Sequence, residues 1–174
     1  MILATPPVRL NSAVLAVLVY LFDRDGRVLM IHRNADPNDY HFGKYNGLGG
    51  KLDALESPLQ AAVREVYEES GLSVRPEDLK PCGYVHFPNF KPAKAQDWTV
   101  FIFTGQYAGS EPPKQKCREG TLQWVPVSSV LELNLWPGDA HFLPAVLGQQ
   151  TVSGAIWYDA DGNVTKVEMR EEQK

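Results

Sequence analysis

Apolar residues cluster into short runs along this chain, separated by turn-forming residues, and one segment carries a helical period instead. Ala13 to Phe22 is rich in Val, Leu and Tyr and predicts a strand. Asp25-Gly26 turns the chain, and Arg27 to Arg33 predicts a second strand closing a hairpin. Asn34 to Lys44 is polar and reads as a loop. Tyr45 to Leu52 gathers Gly47, Gly49 and Gly50 beside Lys51, a pattern that permits unusual backbone angles and close approach of a ligand. Ser57 to Ser70 is the clearest helix. Leu59, Ala62, Val63 and Val66 recur at helical spacing and make one apolar face. Ser57 can cap it, Pro58 fits its first position, Gln60 completes a capping box, and Gly71 suits its end.

Further strands are expected over Gly83 to Phe87, Trp98 to Tyr107 and Leu122 to Pro126, with linkers over Asn89 to Asp97 and Gly109 to Lys116. Asp139 to Leu147 suggests a second helix, restricted by Pro144. Ala155 to Tyr158 and Asn163 to Met169 flank a turn and predict a closing hairpin. The total is an α+β chain, a mixed sheet layered with helices. Its 174 residues fit one domain, with a core over about 11–170 and a lead-in over 1–10.

Composition narrows the function. Hydrophobic residues make up 44% and charged residues 22%, ordinary for a soluble globular protein. A net charge of -4 and a pI near 5.6 argue against a nucleic-acid polymer as partner, which normally requires a basic face. A single nucleotide stays open. Cys82 and Cys117 show no metal-ligand spacing and read as reduced thiols, and His32, His41 and His141 show none either. The run Ala13 to Phe22 is too short to span a bilayer and ends in turn chemistry, not a cleavage site, so no membrane role and a cytoplasmic location are expected.

The candidate chemistry lies on the helix. Glu65, Glu68 and Glu69 stand at i, i+3 and i+4 and share one face, beside the apolar stripe and not within it. Carboxylates this close repel, and hard divalent cations relieve that repulsion. Arg64 adjoins them but points elsewhere on the helical wheel. It can still orient a carboxylate such as Glu56 or Glu65 through a bidentate pair. The bland alternative is a solvated acidic face.

The surroundings decide against it. Gly50, Glu56, Arg64, Glu65, Glu68, Glu69 and Gly71, followed by Leu72, match the Nudix box at every fixed position across 23 residues. Seven such positions coincide by chance in on the order of one chain in a million. The chain therefore resembles the Nudix hydrolases. The resemblance implies the Nudix fold, a mixed sheet sandwiched between helices in an α/β/α arrangement, and hydrolysis of a diphosphate linkage in a nucleotide-like substrate. It implies Mg²⁺ as cofactor, with Mn²⁺ as substitute, held by Glu65, Glu68, Glu69 and the carbonyl of Gly49. The family often adds a carboxylate from a later loop. Glu119 is the candidate, as metal ligand or base, and Glu111 its rival.

Outside the box the chain is similar to the MutT-like branch, especially the oxidised-purine nucleoside triphosphatases of the 8-oxo-dGTP diphosphatase type. Tyr45-Asn46-Gly47-Leu48-Gly49-Gly50-Lys51 carries part of that likeness, and it gives Asn46 a role in hydrogen-bonding the base. Trp136-Pro137-Gly138-Asp139 carries the rest. There Trp136 would stack on the base and Asp139 would read its edge. The branch has a first Asp where this chain has Gly138, which predicts weaker selectivity for 8-oxopurines, since a single ionised Asp139 can only accept. Arg33 and Lys51 are candidate substrate contacts. His86, Phe87, Phe90 and Trp98 could line a pocket but carry no assigned role. Three readings stay in competition: a nucleoside triphosphate pyrophosphohydrolase, a nucleotide-sugar or dinucleotide pyrophosphatase, and a module that senses nucleotides without cutting them.

Overall fold

The structure, a computed structural model, describes residues 11–172; the expected lead-in lies outside the described residues. The strands are β1 (Ser12–Phe22), β2 (Arg27–His32), β3 (Tyr45–Asn46), β4 (Leu79–Lys91), β5 (Gln96–Gln106), β6 (Thr121–Pro126), β7 (Thr151–Tyr158) and β8 (Val164–Glu172). The α-helices are α1 (Pro58–Ser70) and α2 (Leu143–Leu147). All eight strands form one mixed sheet in the order β3-β2-β1-β5-β4-β7-β8, with β6 on the other side of β2. β1 runs parallel to β5 along its whole length, from Ser12 against Gln96 to Phe22 against Gln106.

β1 is apolar on both faces because both faces are covered. Val17, Val19 and Leu21 pack with Ala61, Ala62 and Val66 of α1. Ala16, Tyr20 and Phe22 pack on the opposite side with Phe142, Leu143 and Val146 around α2. The result is the helix–sheet–helix layering expected from the sequence.

The β1–β2 hairpin opens beyond its turn, where Phe22 faces Val28. The glycine segment fills the gap. Val19 N–H donates to Leu48 O at 2.7 Å, Leu48 N–H returns a bond to Val19 O at 3.0 Å, and Val17 N–H donates to Gly50 O at 2.8 Å. A Cβ on Gly49 would stand 2.0 Å from Val17 O, so only glycine allows this approach. α1 begins and ends as its sequence dictates. Ser57 Oγ accepts from Gln60 N–H, Gln60 Oε1 accepts from Ser57 N–H, and Gly71 closes the helix at φ 74°.

Three expectations change. The polar stretch 89–97 is not a linker: β4 continues to Lys91, a 3-10 turn covers Pro92–Lys94, and β5 starts at Gln96. Lys91 pairs with Gln96, and the register shifts before it, so a tight turn serves where a longer loop was expected. The expected helix over 139–147 is broken in two. A 3-10 turn spans Pro137–His141, Phe142 leaves helical geometry at φ -131°, and α2 restarts with Pro144 in its first turn. β7 begins at Thr151, not Ala155, because Gly83 to His86 of β4 pair with Val152 to Ala155.

Candidate active site

A cavity of about 570 Å³ opens between the glycine segment, α1 and the aromatic residues of β4, β7 and the 134–142 region. Of the residues singled out in the sequence, Arg33, Asn46, Gly49, Lys51, Arg64, Glu65, Glu68, Glu69, Glu119, Trp136 and Asp139 all line it. Glu111 does not; its side chain is exposed, and its carbonyl accepts from the Tyr107 hydroxyl.

At one end stands the carboxylate helix. The Arg64 guanidinium forks onto Glu56, with Nε and Nη2 each 2.9 Å from a carboxylate oxygen. Its Nη1 reaches Glu65 at 2.7 Å and Glu68 at 3.3 Å, and Nη2 also donates to Lys51 O at 3.0 Å. The wheel expectation that Arg64 points away from the carboxylates is corrected. Its long side chain reaches back and ties the glycine segment, Glu56 and two helix carboxylates together, and these partners raise its pKa further.

Glu69 also departs from expectation. It is 6% exposed, buried against the glycine segment at the wall of the cavity and not on a solvated face. One of its oxygens accepts the Gly49 N–H at 2.8 Å. Burial, reinforced by Glu65 and Glu68, pushes its acid from 4.5 up to about 8 against the pull of that bond. Burial likewise raises Glu65 despite Arg64. A Cβ on Gly50 would stand 2.2 Å from Glu65 Oε1, so a side chain there would displace that carboxylate. Among the described residues no three Asp, Glu, His or Cys side chains already stand at metal-holding distances. The donor chemistry nonetheless suits a hard divalent cation: a buried carboxylate, raised by two neighbouring carboxylates, seeks positive charge.

Arg33 and Glu119, expected to serve substrate and a metal respectively, face each other across the cavity wall. They are ion-paired with each other, and Arg33 also pairs with Asp39 at 2.5 Å, joining the 34–44 loop to the turn before β6. Lys51 lies with its ammonium 5.4 Å from the Trp98 ring centre. Lys91, which the sequence did not single out, is half-buried over the Trp98 and Tyr40 rings and makes no ion pair among the described residues.

The other end is aromatic. Tyr40 stacks on Trp136 with ring centres 5.3 Å apart, and Phe90 and Tyr158 meet Trp136 edge-on. Trp136 Nε1–H donates to His41 Nδ1 at 2.9 Å. Indole nitrogen only donates, so His41 is neutral with its proton on Nε2, in keeping with burial that lowers its pKa to about 4. The Asn46 side chain makes no hydrogen bond within the described residues and lies free in the cavity. Asp139 accepts from the Trp136 backbone N–H at 3.2 Å. Burial raises its acid from 3.8 to about 7, so near neutral pH its carboxyl is not held fully ionised. The Gly138 N–H donates to the Tyr158 hydroxyl at 2.9 Å, and a Cβ there would lie 2.1 Å from that oxygen, so a larger residue would displace Tyr158. No sequence signal marks Tyr158 or Lys91, which line the cavity, or Tyr40, which stacks on the cavity-lining Trp136; long-range pairing of strands and loops brings each there.

Comparison with known proteins fits this geometry. The NUDIX domain model matches residues 13–146. The oxidized purine nucleoside triphosphate hydrolase of Danio rerio is 31% identical over 129 residues, 74% of this chain and 77% of that protein. Its Mus musculus counterpart is 29% identical over 129 residues, 74% and 79% of the two chains. The crystal structure of a MutT protein from Bacillus halodurans superposes with a TM-score of 0.77 at 24% identity, covering 90% of this chain and 97% of that one. Among the described residues no helix is long and apolar enough to cross a membrane. A matched domain model over most of the chain, a complete box on α1 and the layered fold together show that the chain belongs to the Nudix hydrolase family.

Proposed function

We propose that this chain is a divalent-metal-dependent pyrophosphohydrolase of nucleoside triphosphates, oxidised purine nucleotides such as 8-oxo-dGTP among them, releasing nucleoside monophosphate and pyrophosphate. One observation carries this reading: a single cavity has the box carboxylates at one end and stacked aromatic residues with an unpartnered Asn46 at the other. Such a cavity suits a ligand with phosphates at one end and a base at the other. The names of the vertebrate relatives point the same way.

Glu65, Glu68, Glu69 and the Gly49 carbonyl would hold the cation, Mg²⁺ or Mn²⁺. When bound, such an ion neutralises charge that builds on the phosphate oxygens. Arg64 acts as a positioning residue: it fixes Glu65 and Glu68 and locks the glycine segment to the helix. Lys51 and Lys91 supply cations for the phosphate chain. Glu119, paired with Arg33, would have to exchange that partner before acting as base or ligand. Trp136 offers its ring to the base and Asn46 its amide to the base edge.

The test is a nucleotide panel with Mg²⁺ and with excess EDTA, products identified by mass. Metal-dependent formation of monophosphate and pyrophosphate is expected. Full activity in EDTA, or turnover confined to nucleotide sugars and dinucleotides, would overturn the proposal.

A further inference from the structure

Trp98 and two lysines form a cluster on the cavity wall, apart from the carboxylate helix. Trp98, on β5, lines the cavity. Its indole N–H is the one buried side-chain nitrogen or oxygen without a partner among the described residues. The Lys91 ammonium stands 4.7 Å from the Trp98 ring centre and the Lys51 ammonium 5.4 Å from it. Both lysines line the same cavity, and neither makes an ion pair among the described residues. The box carboxylates turn elsewhere, Glu65 and Glu68 to Arg64 and Glu69 to the Gly49 N–H. Lys91 and Trp98 face each other from the two strands of one hairpin, where Phe87 pairs with Trp98 and Lys91 with Gln96.

This arrangement is costly as it stands. Burial, then Lys51 and Lys94, lower the pKa of Lys91, and Arg33 adds to them. Asp39 opposes, but it is already held by Arg33. Positive charge is thus gathered at one wall of a chain whose net charge is -4. A buried N–H without an acceptor adds a further penalty. A ligand carbonyl or hydroxyl would meet the N–H and leave both ammonium groups uncompensated. A divalent cation would be repelled. A phosphate group answers all three donors, since its oxygens only accept and carry negative charge.

We propose that Lys51, Lys91 and the Trp98 indole N–H form a phosphate subsite that works without a divalent cation and takes a phosphate group of the ligand other than those at the carboxylate helix. Two sources supply such a group: the end of a linear phosphate chain, or a phosphate esterified to the sugar. The subsite stands on its own geometry, and only the identity of the ligand that carries the phosphate rests on the nucleotide reading above.

The experiment is calorimetric titration of the full chain in excess EDTA at fixed ionic strength. GTP against GMP tests the chain end, and guanosine 3′,5′-bisphosphate against GMP tests the sugar phosphate. At least one of the two should bind about tenfold or more tightly than GMP, the scale of hydrogen bonds to a charged group. The ligand that does so identifies the source. Lys91→Met and Trp98→Phe, the second of which keeps an aromatic ring and removes only the donor, should each reduce that advantage about tenfold. Lys166→Met removes the same charge on β8 and should leave it unchanged. The inference is overturned if neither ligand outbinds GMP without metal. It is equally overturned if the advantage survives in both Lys91→Met and Trp98→Phe with normal melting temperatures, or falls as far in Lys166→Met. If no triphosphate is hydrolysed with Mg²⁺ but the metal-free advantage is present and lost in both cluster variants, the subsite stands and the triphosphate reading falls.

Discussion

At one end of the cavity, the carboxylates and the arginine that orients them come from 23 consecutive residues, Gly50 to Leu72. At the other, Tyr20, Phe90, Trp136 and Tyr158 arrive from β1, β4, the turn before a 3-10 segment, and β7, with Tyr40 of the 34–44 loop stacked on Trp136. The first end is held by ion pairs and backbone bonds to the sheet, the second by ring contacts and a few hydrogen bonds, among them Trp136 to His41 and Gly138 to Tyr158. Chemistry that every member must perform is encoded locally, in a helix and its preceding loop. Recognition, which differs among members, is distributed over segments that can change one at a time.

Glu69→Gln should cut the contrast most deeply. Turnover should fall by at least about two orders of magnitude, since a positioned metal contributes several kcal/mol at the transition state. Because Glu69 is buried and accepts the Gly49 N–H, folding should be checked by circular dichroism; the neutral amide keeps an acceptor and suits the low-polarity surroundings. Near-normal turnover in a folded variant would refute the metal-ligand role. Trp136→Ala should act at the other end alone. It should raise KM roughly 10- to 100-fold for nucleotides, the scale of ~1–3 kcal/mol for a base–aromatic stack. A triphosphate lacking a base should be spared, and equal losses on both would mean that Trp136 serves only to support the fold.

Gly49→Ala tests the rigid end through stability. The added Cβ meets the Val17 carbonyl, so a loss of about 1–3 kcal/mol is expected in urea denaturation. No loss would mean that the glycine segment yields easily.

The remaining test concerns pH. Asp139 has a folded value of about 7 against an ordinary 3.8. Between those limits the folded protein keeps a proton that the unfolded chain has released. The stabilising contribution is therefore full below pH 3.8 and is lost as pH rises through about 7. His41 works oppositely over part of the same window, since its folded value of about 4 lies below its ordinary 6.5. The readout is thus the stability of wild type minus that of Asp139→Asn in metal-free buffer, which should decline from pH 4 to 7. A flat difference would show that Asp139 stays ionised.

The same contrast governs what could be read from residues alone. The capping box, Gly71 and the apolar stripe of α1 are local signals, and α1 lies where they put it. Strand cores were legible, but their ends were not: the polar tip of the β4–β5 hairpin looks like a loop because pairing, not composition, makes it a strand. Glu69 was visible as a carboxylate but not as a buried one, because its burial depends on the glycine segment above it. Tyr158 was invisible as a pocket residue. Its approach to Gly138 crosses 20 residues of chain and depends on β7 pairing with β4.

The glycine segment wedged into the sheet has a consequence for entropy. Val19 and Leu48 exchange reciprocal backbone bonds and Val17 N–H donates to Gly50 O, so these amides should exchange with solvent only when β1 itself opens. The exposed 34–44 loop has mostly short-range bonds, such as Phe42 N–H to Asp39 O, and its amides should exchange through small local openings. A bound nucleotide would then order the chain at Tyr40 and hardly at all at Gly49. Its phosphates would meet a surface already fixed before arrival, while its base would bear nearly all the ordering cost of binding.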